Sequence, residues 1–393
     1  MNDPRLLTQR RFPIQLVIIV LFLLAALIGS PNQRILAFAW IIGFVAFYVV
    51  IIIHELGHLI AGWRVGYRFS IFSVGLFHVY KEADKLRVGW RRLPWQPPSF
   101  LGFTLFFVDD YTNFRRRMFW YILGGPLANA LVVLVGALLY ASMNGLPYVG
   151  YYFFQPLIWI QGIFVVGLFW GGLLLLLGSI YPSEWISTDG NKLLRLLQGG
   201  AILERFKAQV QVGSAVLAGV RPRDWDSAWI VPLTARKESS ADTVNAHILA
   251  YRWALDRGDE QQAEHYLTVA VRSRQKVSPI ERANILVEAA YFEMRYHANA
   301  QNADQWIKKL GTEQKRAQPL FRLRMSCAAN LLMRQYPETR QIAEQSIQVL
   351  DRANANDGLS IMERDLFRDL AQRAAQAEAE AQTASPSSTE NPS

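Results

Sequence analysis

The first half of the chain alternates long apolar runs with short polar turns, and the second half carries apolar positions at helical spacing. Phe12 to Gly29 is apolar over a length just sufficient to cross a bilayer as a helix. The polar turn Pro31-Asn-Gln-Arg34 separates it from a second run, Ile35 to about Gly62, in which Glu55 is the first charged residue. Met118 to Ala141 and Leu157 to Ile180 predict two further spans. Between the second and third spans, over residues 63–117, the pattern shifts to β-branched and aromatic residues. Tyr67 to Tyr80 and Lys85 to Trp90, parted by Lys81-Glu-Ala-Asp-Lys85, predict a β-hairpin. Phe100 to Val108 is apolar but too short to span, which suits a strand or a loop dipping into the bilayer.

Residues 199–240 are amphipathic but irregular and read as a linker, with Arg221-Pro-Arg-Asp-Trp225 as a turn. Residues 241–373 are helical and repetitive. Ala263, Ala303 and Ala343 occupy equivalent small-residue positions at steps of 303 − 263 = 40 and 343 − 303 = 40, the signature of stacked helical hairpins. Residues 374–393, rich in Ala, Gln, Ser and Pro, predict a disordered tail. The expected fold is therefore mainly α: a polytopic membrane helix bundle, a small membrane-associated β-hairpin region and a soluble α-solenoid-like C-terminal domain.

Composition sharpens this division. With 51% hydrophobic and 19% charged residues in 393, the chain can hold several spans and one soluble domain. The formal charge of +9 could suggest nucleic acid, but the basic residues flank apolar segments, as the positive-inside rule expects. They predict cytoplasmic N- and C-termini and a cytoplasmic segment 63–117. The first span, residues 1–34 with its basic lead Arg5, Arg10 and Arg11, lacks an Ala-x-Ala-like site and reads as a retained anchor rather than a signal peptide. A single cysteine, Cys327, excludes an intrachain disulfide framework and a cysteine-rich metal site.

The candidate chemistry lies near the end of the second run, in His54-Glu-Leu-Gly-His58. On a helix His54 and His58 are i and i+4, so both imidazoles leave one face and can bind a single Zn²⁺, with Glu55 beside them as general base. Ionisable groups at membrane depth each cost about 2 kcal/mol or more unless a function retains them. The third span contains Gly124-Gly-Pro-Leu-Ala-Asn129: Pro126 frees a backbone carbonyl, the small residues permit close helix approach, and Asn129 needs a partner or serves as glue between helices. After the fourth span, Ser187, Thr188 and Asp189 are all capping residues, so Asp189 reads either as an N-cap or as a third zinc ligand at the depth of the histidines, with Glu184 as the nearby alternative carboxylate. His78 suits an ordinary strand residue, and His247, His265 and His297 share no helix spacing that would favour a metal.

His54-Glu-Leu-Gly-His58, Gly125-Pro-Leu-Ala-Asn129 and Asp189-Gly190, in this order, resemble the site-2 protease family of intramembrane zinc metallopeptidases over about Ile35 to Leu197. The lead Trp185-Ile-Ser-Thr188 differs from the Asn-Pro or Leu-Pro-Leu common in that family. The resemblance implies one zinc per chain on His54, His58 and Asp189, Glu55 as general base, and Asn129 orienting substrate backbone or supporting the oxyanion. It implies a transmembrane protein substrate and a bacterial inner membrane as the setting. The Gly258-Asp, Ala263, Tyr266 and Ala270 pattern is similar to tetratricopeptide-like repeats and implies a protein partner on that surface. No Gly-x-x-x-x-Gly-Lys run indicates ATP dependence. A non-proteolytic membrane adaptor using the repeats, and a transporter relaying protons through the histidines, are the competing readings. Four intact residues at the site weigh against the first, and four spans without detectable halves against the second.

Overall fold

The structure is a computed structural model that describes residues 21, 24, 28, 30–82, 85–90, 102–144, 155–183, 188–236, 238–353 and 355–384. The predicted first span, the tail beyond Ala384 and Glu184 therefore lie wholly or almost wholly outside the described residues. The chain forms two compact units, Arg10–Leu203 and one built on Glu204–Ser393.

In the first unit three helices are long and apolar enough to cross a membrane: α1 (Pro31–Arg64), α2 (Phe114–Asn144) and α3 (Gln155–Ile180). They pack against one another in all three pairings. Small residues set the closest approach: a Cβ on Gly57 would stand 2.3 Å from the Gly124 carbonyl oxygen, and one on Gly124 would stand 2.4 Å from that of Gly57. Such contacts let van der Waals packing hold helices where lipid supplies no hydrophobic drive. The helix α1 ends in a Schellman turn: Gly66 at φ +80° donates to Trp63 O, and Tyr67 N–H reaches back to Gly62 O. Arg117 seals that end by donating Nε to Val65 O at 2.8 Å.

The predicted hairpin is instead a four-stranded antiparallel sheet. Its strands β1 (Arg68–Val74), β2 (Phe77–Glu82), β3 (Lys85–Gly89) and β4 (Gly102–Phe107) are ordered β3-β2-β1-β4. The stretch Tyr67 to Tyr80 folds back on itself because Gly75, at φ +60°, allows a two-residue turn against the Tyr48 ring. The apolar stretch around 100–108 is a strand, paired along β1 from Arg68↔Phe107 to Val74↔Gly102. With neighbours on both sides β1 is buried from Ser70 to Val74, and Phe72 and Val74 pack with Ile51, Phe47, Tyr48 and Leu59 of α1. The sheet thus lies along the C-terminal half of α1, which brings β4 to the candidate site. His78 is buried on β2, its ring over Gly89 of β3.

A short amphipathic helix, α4 (Asp189–Gln198), follows α3, and the expected linker is largely helical: α5 (Gly200–Leu217) crosses the unit boundary and α6 (Ser227–Thr234) follows. The second unit continues with α7 (Ala241–Arg257), α8 (Glu260–Arg272), α9 (Pro279–Tyr296), α10 (Ala300–Leu310), α11 (Pro319–Leu332), α12 (Tyr336–Arg352) and α13 (Gly358–Ala384). Consecutive helices pack as the pairs α7/α8, α9/α10 and α11/α12, and α13 lies on α12. Ala263, Ala303 and Ala343 fall on the second helix of each pair and are buried, where a larger side chain would force the pair apart. Gly258, left-handed, ends α7, and Asp259 caps α8 by accepting from Gln262 N. The expected tail from Ala374 is helical as far as Ala384. Its Ala, Glu and Gln are strong helix formers, Ala374 itself is buried, and Arg340 pairs with Glu378 at 2.8 Å.

Candidate metal centre

Helical geometry alone puts His54 and His58 on one face of α1, and the third group arrives from α4. Nε2 of His54, Nε2 of His58 and Oδ2 of Asp189 form a triangle with every edge 3.2 Å. All three residues are buried, and among the described residues this is the one group of three such side chains whose ligand atoms converge. Ligand atoms about 2.0 Å from a common zinc at tetrahedral angles stand about 3.3 Å apart. The triangle therefore fits one zinc-sized cation with a fourth direction free for water or substrate.

The outer nitrogens show how the imidazoles are held. Nδ1 of His58 lies 3.0 Å from the backbone oxygen of Tyr121, which can only accept, so Nδ1 carries the proton and Nε2 keeps its lone pair for the triangle. Nδ1 of His54 meets the side-chain amide of Asn129 at 2.8 Å. With Nδ2 toward the ring, Oδ1 of Asn129 is buried without a partner among the described residues; half a turn of the amide lets Oδ1 accept from Nδ1–H, so both imidazoles present Nε2 lone pairs. Tyr121, Gly125 and Asn129 are spaced by four on α2 and meet the four-residue spacing of His58 and His54 on α1. Gly125 leaves the room: a Cβ there would stand 2.4 Å from His58 Nε2. Pro126 cannot donate to the Ile122 carbonyl, so the ordinary helical ladder is broken beside the Tyr121 carbonyl that His58 uses.

The competing readings of Asp189 are divided between two residues. Thr188 is the N-cap, accepting from Asn191 N at 3.2 Å and donating to Tyr181 O at 2.7 Å, and Asp189 in the first helical position is free to face the histidines. Burial works to raise the Asp189 carboxyl, but Lys192, whose Nζ is 3.3 Å from Oδ1, and the two histidines hold it below the usual carboxylate range. Gly190 is required by crowding: a Cβ there would lie 1.7 Å from the Ile180 oxygen that ends α3.

Glu55 is buried beside the triangle, and β4 positions it. Thr104 Oγ1 donates to Glu55 Oε2 at 2.8 Å and lies 3.1 Å from the Glu55 backbone oxygen, and Tyr121 Oη donates to the Thr104 carbonyl at 2.6 Å. Gly102 passes so near that a Cβ would meet the Glu55 side chain at 2.9 Å. Sequence reasoning missed Thr104 and Tyr121, since neither stands in a metal motif; the one available signal was Gly102 and Thr104 inside an otherwise apolar strand. Two imidazoles, a carboxylate held anionic and a separate carboxylate aimed at the same space define a metallohydrolase site carried on membrane-type helices.

The chain matches the model of peptidase family M50 over residues 42–357, and it belongs to that family of zinc metallopeptidases, which are membrane proteins of the site-2 protease type. No curated protein and no solved structure matches it.

Proposed function

We propose that this chain is an intramembrane zinc metalloendopeptidase that hydrolyses a peptide bond in or near a transmembrane segment of a membrane protein. The observation that carries the reading is the convergence of His54, His58 and Asp189 at 3.2 Å with the separately held Glu55. Zinc held by His54, His58 and Asp189 would supply Lewis-acid chemistry, polarising the scissile carbonyl and lowering the pKa of a water to about 7. Glu55, fixed by Thr104, takes a proton from the attacking water and delivers it to the leaving amine. Asn129 and the Tyr121 carbonyl keep the imidazoles in register. The buried amide of Asn129 favours this supporting role over direct contact with the oxyanion.

A substrate helix hides its carbonyls in its own hydrogen bonds and must unwind before attack. The edge strand β4 runs past Glu55, and pairing with its open side would hold an unwound segment extended beside the site. The paired helices of the second unit would offer a solenoid-like surface to a protein partner. The basic flanks of the spans favour cytoplasmic termini in a bacterial inner membrane. The adaptor reading gives no reason for Thr104 to hold Glu55 at the metal site.

The test is zinc per purified chain together with cleavage of a reconstituted transmembrane reporter. Wild type should hold about one zinc, as a three-ligand catalytic site requires. His54→Ala and Asp189→Ala should lose both zinc and cleavage. A wild-type chain that takes up no zinc on reconstitution, or that cleaves equally well after Asp189→Ala, would refute the assignment.

A further inference from the structure

A cavity of about 400 Å³ opens between the first turn of α2 and the last turn of α4, away from the metal ligands. Its wall carries Arg115 and Arg116 together with Phe119, Leu196 and Leu197, and among the described residues no acidic side chain lines it. We propose that it binds the headgroup of an anionic glycerophospholipid, with the acyl chains running past Phe119 and Leu197. The proposal requires that α2 crosses the membrane and does not depend on what the metal site hydrolyses.

Charge comes first. Arg115 and Arg116 are both exposed; Arg115 donates Nη2 to the Leu197 carbonyl at 3.0 Å, which leaves most of its N–H groups available. Arg116 makes no hydrogen bond or ion pair among the described residues. The two carboxylates that precede Arg115 in the chain are engaged elsewhere, Asp109 with Arg68 and Asp110 with Arg117. Two adjacent guanidiniums without a counter-ion among the described residues match a phosphodiester, whose oxygens accept the forked N–H groups of arginine.

Depth supplies the second half. The cavity sits where the candidate span Phe114–Ser142 begins, at the level where headgroups meet hydrocarbon. Phe119 is i+4 from Arg115 and i+3 from Arg116, so it shares their face about one helical turn deeper into the apolar run. Leu194 and Leu197 of α4 remain exposed on the side of the helix that also bears the cavity wall. Cation at the water level and apolar wall below is the polarity of a lipid, and a soluble anion has no use for the second part. Because α4 begins at Asp189 and ends at this cavity, a bound lipid would also tie the ligand-bearing helix to α2.

The test uses the full chain in detergent, with phosphatidylglycerol or phosphatidylcholine added and retained lipid counted by native mass spectrometry. Wild type should retain one phosphatidylglycerol in preference to phosphatidylcholine. Arg116→Gln, which removes no contact among the described residues, should lower that retention about tenfold, as losing one charge-assisted contact implies. Arg64→Gln, an exposed arginine at the end of α1 outside the cavity wall, should leave it unchanged, and excess inorganic phosphate should not displace the lipid. Equal retention by Arg116→Gln and wild type, equal binding of phosphatidylcholine, or displacement by inorganic phosphate would each overturn the proposal.

Discussion

Both units bury a cluster of ionisable side chains, and the two clusters are built on opposite principles. In the second unit Arg324, on α11, is almost fully buried and lies between Glu288 of α9 and Glu363 of α13, 2.6 Å from Glu363 and in direct contact with Glu288, while Tyr251 donates to Glu288 at 3.0 Å. Arg252 of α7 interacts with both carboxylates as well, so two cations and two anions answer one another inside the cluster, and the group serves as a polar clamp across four helices. In the first unit two imidazole nitrogens and a carboxylate oxygen face one another, and the cation that would join them must come from outside. Burial of polar groups is common to both. What separates a site from a strut is whether the cluster completes its own charge balance.

The comparison can be broken first at Glu55. Glu55→Gln should reduce cleavage by about 10²- to 10⁴-fold, the range for a lost general base, while zinc stays bound, since Glu55 is outside the triangle. Loss of zinc in that variant, read by metal analysis, would place Glu55 among the ligands. The counterpart in the second unit is Arg324→Met, which removes the one arginine that hydrogen-bonds both buried carboxylates among the described residues and should cost about 3 to 5 kcal/mol in denaturant unfolding without changing zinc content. Restoring stability with Glu288→Gln and Glu363→Gln in the same chain would sharpen the distinction, because the clamp has no function beyond its own balance.

Smaller effects test the supports. Asn129→Ala should weaken zinc binding about 10- to 100-fold by releasing the His54 ring, measured by competition with a chelator. An unchanged affinity together with a lower turnover would instead return Asn129 to the substrate. The smallest effect is on acid stability. Burial tends to raise the Asp365 carboxyl, but the hydrogen bond and charge of Arg221 outweigh it and hold Asp365 below its ordinary range. A carboxylate lowered in this way adds stability at neutral pH that is lost as pH falls below about 4. Arg221→Gln should flatten the acid limb of a melting-temperature profile.

Residue spacing made much of this legible. The 3.6-residue period aligned His54 with His58, the lengths of apolar runs placed three helices to within a few residues, and the step of 40 placed three buried alanines on successive second helices. The folded-back strand was harder to read, because Gly75 looks like any glycine in an aromatic run until its φ is known. The helical stretch to Ala384 was misread because composition alone cannot distinguish a polar tail from a polar helix docked along one side.

By itself, the sequence determined whatever depends on neighbours along the chain: the histidine face, the helix lengths and the close-packing glycines. Tertiary structure alone decided that Thr104 from a strand holds Glu55, that a Tyr121 carbonyl beside Pro126 sets the His58 tautomer, and that Thr188 takes the cap so that Asp189 can reach the histidines. Those choices join residues 49, 63 and 131 positions apart, and a local pattern carries no record of which distant group will satisfy a buried donor or acceptor.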